Sequence, residues 1–96
     1  MIVSRKIKVG KKNIQAVLVK LGSKNLIVLT GSRGYIMCGY LNLKIANKFK
    51  DVAVKITGIA TIKEALTTRV YAASYAARRL GIYKGQPIKD VLKIIA

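Results

Sequence analysis

The segment TGSRGYIMCGYLN, residues 30–42, contains the densest set of side chains capable of chemistry in this chain. It holds the only cysteine, Cys38, together with three of the eight glycines and Arg33. A cysteine that lies just before a helix and near an arginine has the surroundings of a nucleophilic thiol. A lone cysteine flanked by Ile36 and Met37 is also typical of a small buried hydrophobic residue. Both interpretations of Cys38 stay open.

The same loop could bind an anion. The backbone amides of residues 31–34 can turn inward beside a helix start and hold a negatively charged group. The alternative is a plain glycine turn between two strands. The candidate ligand or anion loop consists of Gly31, Ser32, Arg33, Gly34, Tyr35, Cys38 and Gly39.

The sequence argues against the common hydrolases and against a metal centre. It has no histidine, which removes the Ser–His and Cys–His pairs and the imidazole ligands of metals. Its only carboxylates are Asp51, Glu64 and Asp90, and we expect Glu64 to be occupied in a helix cap. We therefore predict neither a cofactor nor a metal. Enzyme activity stays open, with a non-enzymatic role favoured and Cys38 as the sole candidate for a catalytic group.

The charge indicates the kind of partner. Nineteen Lys and Arg stand against three Asp and Glu, which gives a net charge of +16. Such a surface repels its own copies and attracts polyanions, of which RNA and DNA are the most common. A solvated lysine coat is the alternative. We therefore favour a small basic binding protein for a polyanion. The other hypothesis is a small-ligand, anion-binding or thiol-dependent protein with its site at Ser32–Cys38.

Two groups of residues are candidates for contact with nucleic acid. A basic ribbon follows the first predicted hairpin, and lysine on an edge strand can alternatively serve to prevent aggregation. A second group has two tyrosines one helical turn apart and two arginines a turn further on, which could stack on unpaired bases; tyrosines at the core boundary are the alternative. The first group is Arg5, Lys6, Lys8, Lys11 and Lys12, and the second is Tyr71, Tyr75, Arg78 and Arg79.

The hydrophobic pattern predicts strands in the first half of the chain. Residues alternate in the first segment, with Val3, Ile7 and Val9 on one side, whereas the next two segments are apolar on both faces. Turn residues separate the three, which is typical of an antiparallel meander. The predicted strands are Met1–Val9, Ile14–Leu21, Asn25–Thr30, Tyr35–Cys38 and Asp51–Thr57.

Capping signals predict the helices. Asn42 can cap a helix over Leu43–Lys50, in which Leu43, Ala46 and Phe49 share a face. Thr61 and Glu64 have the spacing of a capping box, and an apolar stripe continues to Leu80 as one helix or as two separated at Thr67-Thr68. At the end of that stripe Gly81 suits a left-handed cap, with Ile82 folding back. Pro87 opens a last helix as its first residue, with Ile88, Val91, Leu92 and Ile95 on the buried side.

These elements predict an α+β fold in a single domain, residues 1–96. The sheet is mixed or largely antiparallel with about five strands, begins with the N-terminal meander, and carries three or four helices. Because Ala16–Val19 and Leu26–Leu29 have no polar face, helices or a second copy must cover both sides, and we expect a homodimer or a larger homo-oligomer. No apolar run approaches the ~18 residues of a membrane span. The N-terminus lacks the apolar core of a signal peptide, so we expect a cytoplasmic protein without a membrane partner.

One motif supports a family assignment. The run RGYIMCGYL is followed by an alternating strand, a T-I-x-E helix start and then L-G-I-x-x-G. This arrangement resembles a family of small archaeal and bacterial proteins, catalogued as domain of unknown function 1805, over about residues 25–96. The resemblance implies a compact α+β fold and brings no catalytic residue with it.

Overall fold

The computed structural model describes residues 2–39 and 42–96. Met1 of the predicted first strand, and Tyr40 and Leu41 of the motif, lie outside the described residues. The strands are β1 Ile2–Val9, β2 Lys12–Leu21, β3 Lys24–Thr30, β4 Tyr35–Met37, β5 Ala53–Lys55 and β6 Ala72–Ala73. The helices are α1 Leu43–Lys48, α2 Ile62–Thr67, α3 Tyr75–Arg79 and α4 Ile88–Ile95.

The strands form one mixed sheet in the order β1-β2-β3-β4-β5-β6. Every neighbouring pair is antiparallel except β4 and β5, which are parallel and are connected through α1. The α+β class and the N-terminal meander are confirmed. The sheet has six strands rather than about five because the short β6 adds to the far edge.

The stripe from Ile62 to Leu80 forms two helices, which is one of the two predicted alternatives, but residues 68–74 between them are not helical. The first helix ends at Thr67, β6 follows, and Ser74 begins α3 as its N-cap. Val70 and Ala73 are buried as the stripe predicted, but Ala73 pairs with Val54 in the sheet. Residues 72–73 form a strand because they can hydrogen-bond to the free edge of β5. The spacing of apolar residues in the sequence gives no sign of this pairing.

Several cap predictions are confirmed. Asn42 caps α1, and Thr61 and Glu64 form the capping box of α2. Gly81 has φ of 89°, its amide donates to the Arg78 carbonyl, and the Ile82 amide donates to the Ala77 carbonyl. These two bonds make a Schellman ending, which requires the left-handed conformation that glycine adopts readily.

Two local predictions were wrong. Pro87 is the N-cap of α4 rather than its first residue, a shift of one position. Phe49 does not share the buried face of α1, since it is 68% exposed. α1 is two residues shorter than the stretch Leu43–Lys50 that the sequence predicted, so Phe49 is its C-cap.

The main core lies between the sheet and the helices α2, α3 and α4. On β1 the residues Val3, Ile7 and Val9 pack against it, as the alternation predicted. The buried side of α4 is also as predicted. Core residues from the strands are Ile14, Ala16, Ile27, Leu29, Ile36, Val54 and Ala73, and those from α4 are Ile88, Val91, Leu92 and Ile95.

The opposite face of the sheet is only partly covered. α1 packs there over β4 and β5, where Ala46 and Ala53 are buried. Paired residues of adjacent strands lie on one face, so the register continues this face across β3, β2 and β1. We call this part, where no helix of the described residues packs, the open face: Ile2, Val17, Val19, Leu26 and Val28.

Candidate functional site

The predicted anion loop lies beside the C-terminal end of α4, and not beside a helix start. The amide of Arg33 donates to the carbonyl of Ile95 at 2.9 Å, and the hydroxyl of Ser32 donates to the carbonyl of Ala96 at 3.1 Å. The Lys12 ammonium lies 3.5 Å from the same Ala96 oxygen. The loop therefore supplies donors to the last carbonyls of a helix, which carry partial negative charge.

Two further amides of the loop are also bonded to carbonyls. Gly31 N–H donates to Gly34 at 2.9 Å, and Tyr35 N–H donates to Val52 at 3.0 Å. A Cβ at Gly31 would lie 2.2 Å from the Ile95 carbonyl oxygen, and a Cβ at Gly34 would lie 2.7 Å from that of Val52. These two glycines allow backbone segments to approach one another closely.

Tyr35 projects from β4 on the side of α1. Its hydroxyl donates to the carboxylate of Asp51 at 3.0 Å. Burial, with the hydrogen bond and negative charge of Asp51 adding to it, raises the pKa of Tyr35 above its ordinary value. The phenol therefore stays protonated through the physiological range and acts as a hydrogen-bond donor to the carboxylate.

Cys38 and Gly39 lie beyond the other end of β4 and line a cleft. The cleft has a volume of about 560 Å³ and is open to solvent. Its remaining walls come from the β2–β3 turn, the loop between β5 and α2, and the first turn of α2. Those lining residues are Ser23, Lys24, Asn25, Thr57, Gly58, Ile59, Ala60 and Glu64.

The Cys38 thiol is held by two backbone groups of β3. It accepts a bond from the Ile27 amide at 3.5 Å and donates toward the Asn25 carbonyl at 3.7 Å. The residue is 5% exposed. Cys38 and Arg33 lie beyond opposite ends of β4, so the structure does not bring together the thiol and the guanidinium that the sequence placed side by side.

Hydrogen bonds fix the wall of the cleft opposite Cys38. The Glu64 carboxylate accepts from the amides of Ala60 at 2.9 Å and Thr61 at 3.2 Å. Asn25 donates its side-chain amide to the Ala60 carbonyl at 2.9 Å, which ties β3 to this loop. Lys24 and Glu64 give the cleft one positive and one negative side chain.

The basic ribbon lies at the β1 edge of the sheet. All five of its residues are exposed. The register places Lys6 and Lys8 on the same face as Val17, whereas Arg5 and Lys12 lie on the face of the main core, and Lys11 is in the turn. The ribbon therefore presents positive charge on both sides of one edge.

Tyr71 and Tyr75 do not lie one turn apart on a helix, as the sequence predicted. Tyr71 precedes β6, where its amide donates to the Lys55 carbonyl, and Tyr75 is the first residue of α3. They lie at the β6 edge of the sheet, opposite the ribbon. Arg79 is exposed on α3 close to them in sequence.

Cations accompany both exposed tyrosines. The Arg78 guanidinium lies 4.9 Å from the centre of the Tyr75 ring. The ammonium groups of Lys55 and Lys84 lie 5.9 and 5.8 Å from the centre of the Tyr71 ring. Tyr71 is 52% and Tyr75 is 61% exposed, so part of each ring remains open to solvent. We call these five residues the aromatic–cation surface.

Several residues of these sites could not be found by motif. Lys55 and Lys84 lie 29 positions apart in the printed sequence and meet at Tyr71 only through the fold. Asn25 and residues 57–60 are likewise brought together at the cleft only by the fold. Ser74 had a usable signal, because a serine ahead of a short helix is a common N-cap, but the helical stripe obscured it.

In residues 2–39 and 42–96 no group of three or more Cys, Asp or Glu side chains is arranged to hold a metal ion. The same residues contain no helix that is both long and apolar enough to cross a membrane.

The fold and its features define a small α+β domain with a mixed six-stranded sheet, a basic edge and an open cleft. The chain belongs to the family described as domain of unknown function (DUF1805), whose model matches residues 37–95. The match begins inside the glycine-rich motif, later than the residue 25 that the sequence suggested.

Two relatives extend the comparison. The chain is 37% identical over 81 residues to the uncharacterized protein YunC of Bacillus subtilis, covering 80% of each chain. It is also similar to the crystal structure of a protein of unknown function, TA1206 from Thermoplasma acidophilum, with a TM-score of 0.96 and 35% identity. That superposition covers 100% of this chain and 94% of the other, so the N-terminal hairpins belong to the shared fold.

Proposed function

We propose that this protein is a small, cytoplasmic, non-enzymatic binding protein whose partner is a single-stranded polyanion, RNA or DNA. The main support is the aromatic–cation surface, where two exposed tyrosine rings each have a lysine or arginine beside them. Bases stack on exposed aromatic rings, and neighbouring cations neutralise the phosphates that accompany them. A coat of lysines that only keeps a protein dispersed has no need of exposed aromatic rings.

The basic ribbon supports the same proposal from the opposite edge. Five intervals between strands of ~4.8 Å separate the β1 and β6 edges by about 24 Å. A single strand long enough to cross that distance can reach phosphate contacts at one edge and stacking contacts at the other. A rigid duplex cannot present its bases to the tyrosines, because its rings are already stacked.

Fluorescence anisotropy with an oligo-uridine or oligo-thymidine strand across a salt series tests the proposal. We expect binding that weakens steeply with salt, with a log–log slope of about −0.7 for each neutralised phosphate. Replacing Lys6, Lys8 and Lys11 with glutamine should reduce that slope by about 2. The matched control replaces Lys63, Lys89 and Lys93, which are also exposed, and removes the same charge.

A second arm of the experiment addresses stacking. Tyr75→Ala should weaken binding of the single strand by a factor of about 5 to 160, since each stacked base contributes ~1–3 kcal/mol. Exposed Tyr83 provides the control, because the Tyr83→Ala change removes a comparable ring outside the aromatic–cation surface. A dissociation constant weaker than millimolar at low salt, a flat salt response, or equal losses in variants and controls would show that this protein is not such a binder.

A second candidate function is favoured by the cleft. A cavity of about 560 Å³ has the size of a small-molecule site, and it is lined by Lys24, Glu64 and Cys38 among others. This arrangement supports a small-ligand or thiol-dependent role at Cys38 and Gly39. The Gly31–Gly34 part of the predicted loop lies apart from the cleft.

Alkylation of Cys38 tests the second candidate. We expect iodoacetamide to modify Cys38 in the native protein, because Cys38 lines a cleft open to solvent. The rate should not increase with urea before global unfolding begins. Cys38→Ala serves as the blank. A thiol that reacts only through the unfolding transition contradicts ligand access to Cys38, and a rate–pH profile equal to that of a free thiol removes the thiol-enzyme version.

A further inference from the structure

Three consecutive backbone amides in the loop between β5 and α2 are available to a ligand. They belong to residues 57–59, and they donate to no acceptor within residues 2–39 and 42–96. The amides on either side are bonded: Ile56 donates to the Met37 carbonyl at 3.0 Å, and Ala60 donates to the Glu64 carboxylate at 2.9 Å. The loop therefore offers three adjacent donors that the described part of the fold does not use.

The same three residues line the cleft of about 560 Å³ that Cys38 also lines. Gly58 has φ of 71°, in the left-handed region. Successive amides around a residue of this conformation can converge on one side of the chain, and the concavity that they form attracts anions. A compact negative group, either a carboxylate or a phosphate, suits such a turn.

Lys24 adds a positive charge to the lining of this cleft. It begins β3, and the next residue, Asn25, donates its side-chain amide to the Ala60 carbonyl at 2.9 Å. This bond ties the start of β3 to the end of the loop. The net charge of +16 adds a field that favours anions over cations at the whole surface. The local donors and the overall charge therefore select ligands of the same sign.

Glu64 is the acidic residue among those that line the cleft, and its charge is partly offset. Its Oε1 accepts hydrogen bonds from the amides of Ala60 and Thr61 and from the Thr61 hydroxyl. Donors of this kind stabilise a carboxylate and spread its charge. Asp51 and Asp90 do not line the cleft. Lys24 and the loop amides therefore dominate its preference.

We propose that the cleft binds a small organic anion through its carboxylate or phosphate group, with the Lys24 ammonium and the amides of residues 57–59 as donors. This inference rests on the second candidate function and names its class of ligand. A cavity of this volume has room for one small molecule. None of the five residues of the aromatic–cation surface lines it, so the site is separate from the surface proposed for nucleic acid.

Nuclear magnetic resonance of the ¹⁵N-labelled protein tests the proposal, with sodium phosphate and sodium acetate titrated separately at constant ionic strength. We expect saturable shifts of the amide resonances of residues 57–59, and the anion with the lower dissociation constant identifies the preferred group. Lys24→Gln should raise that constant by a factor of about 2 to 5, as for ion pairs of exposed lysines. Lys20→Gln is the matched control, because it removes the same charge from an exposed lysine that does not line the cleft.

Alkylation of Cys38 separates this inference from the function on which it rests. Iodoacetamide is neutral and measures access alone, whereas iodoacetate carries a carboxylate. We expect the ratio of the iodoacetate rate to the iodoacetamide rate to be higher in the native protein than in the same chain unfolded in urea. The ratio should fall in the Lys24→Gln variant and stay unchanged in the Lys20→Gln variant.

The outcomes divide as follows between the two proposals. Absence of saturable shifts at residues 57–59, or equal losses in the two lysine variants, would show an adventitious ion only and overturn the inference. A native ratio no higher than the unfolded ratio would do the same, and reaction with iodoacetamide would then leave the second candidate function standing. If neither reagent reaches Cys38, the thiol-dependent role is contradicted, and the phosphate and acetate titrations decide the anion site by themselves.

Discussion

Gly31→Ala is expected to destabilise the protein by about 2–4 kcal/mol, because the new Cβ meets backbone atoms that have no room to move. It would lie 2.2 Å from the Ile95 carbonyl oxygen and 2.9 Å from Cα of Ala96. Relief of this overlap requires the end of α4 to shift, which breaks the bond from the Arg33 amide to Ile95. Urea unfolding monitored by circular dichroism measures the loss.

Gly39→Ala is the control for that experiment. A Cβ at Gly39 has no atom of the described residues within 4 Å outside its chain neighbours, and its φ is not in the left-handed region. We expect a change of less than ~1 kcal/mol in either direction. Equal stability of Gly31→Ala and the parent chain would mean that the β3–β4 loop and the end of α4 do not touch in solution.

Ser74→Ala is expected to cost about 2–4 kcal/mol of unfolding free energy. The Ser74 hydroxyl is fully buried, donates to the Asp51 carbonyl at 2.7 Å, and accepts from the amides of Ala53 at 3.0 Å and Ala77 at 3.2 Å. Its removal takes away the N-cap of α3 and leaves two groups around β5 without partners in the interior. Because these groups are buried, they cannot form replacement hydrogen bonds with water.

The Thr61→Ala variant measures the cost of losing a helix cap alone. It therefore separates that cost from the cost of leaving buried groups near β5 without partners. Thr61 caps α2 at an exposed position, where water can replace the lost bond to Glu64. This variant should lose only about 1 kcal/mol. If Ser74→Ala costs no more than Thr61→Ala, the bonds from Ser74 to β5 contribute nothing beyond an ordinary helix cap.

The predictions that held are those in which the cause is local. Asn42, Thr61 with Glu64, and Gly81 bond to groups within a few residues, so their chemistry can be read from the sequence directly. The buried side of α4 follows from one strong period. Turn residues between apolar segments were sufficient to predict the antiparallel meander.

The predictions that failed depend on distant neighbours. Val70, Ala73 and Ala77 repeat at a helical spacing, and all three are buried, yet two of them lie outside any helix. The spacing of buried residues cannot show whether a free strand edge will capture part of the segment. The prediction that these residues are buried was therefore correct, whereas the prediction that all three lie in a helix was wrong.

The candidate sites follow the same rule. The sequence identified the residues of the glycine-rich loop but not their neighbours, and α4 now accounts for two of the donors assigned to an anion. The structure places Cys38 and Arg33 beyond opposite ends of β4. It places Cys38 and Glu64 in the lining of the same cleft. Which side chains meet across a loop is determined by tertiary contacts, and no motif records them.

The contact between the β3–β4 loop and the end of α4 constrains the order in which the chain can fold during synthesis. The hairpins of β1, β2 and β3 pair residues that are close in sequence and can form early. The Arg33 amide cannot donate its hydrogen bond to the Ile95 carbonyl until Ile95 has left the ribosome. Through that interval the nascent chain holds apolar strands without their helices, a state prone to aggregation. The positive charges of the lysines along β1 repel those of another nascent chain, and this opposes pairing between chains at the β1 edge.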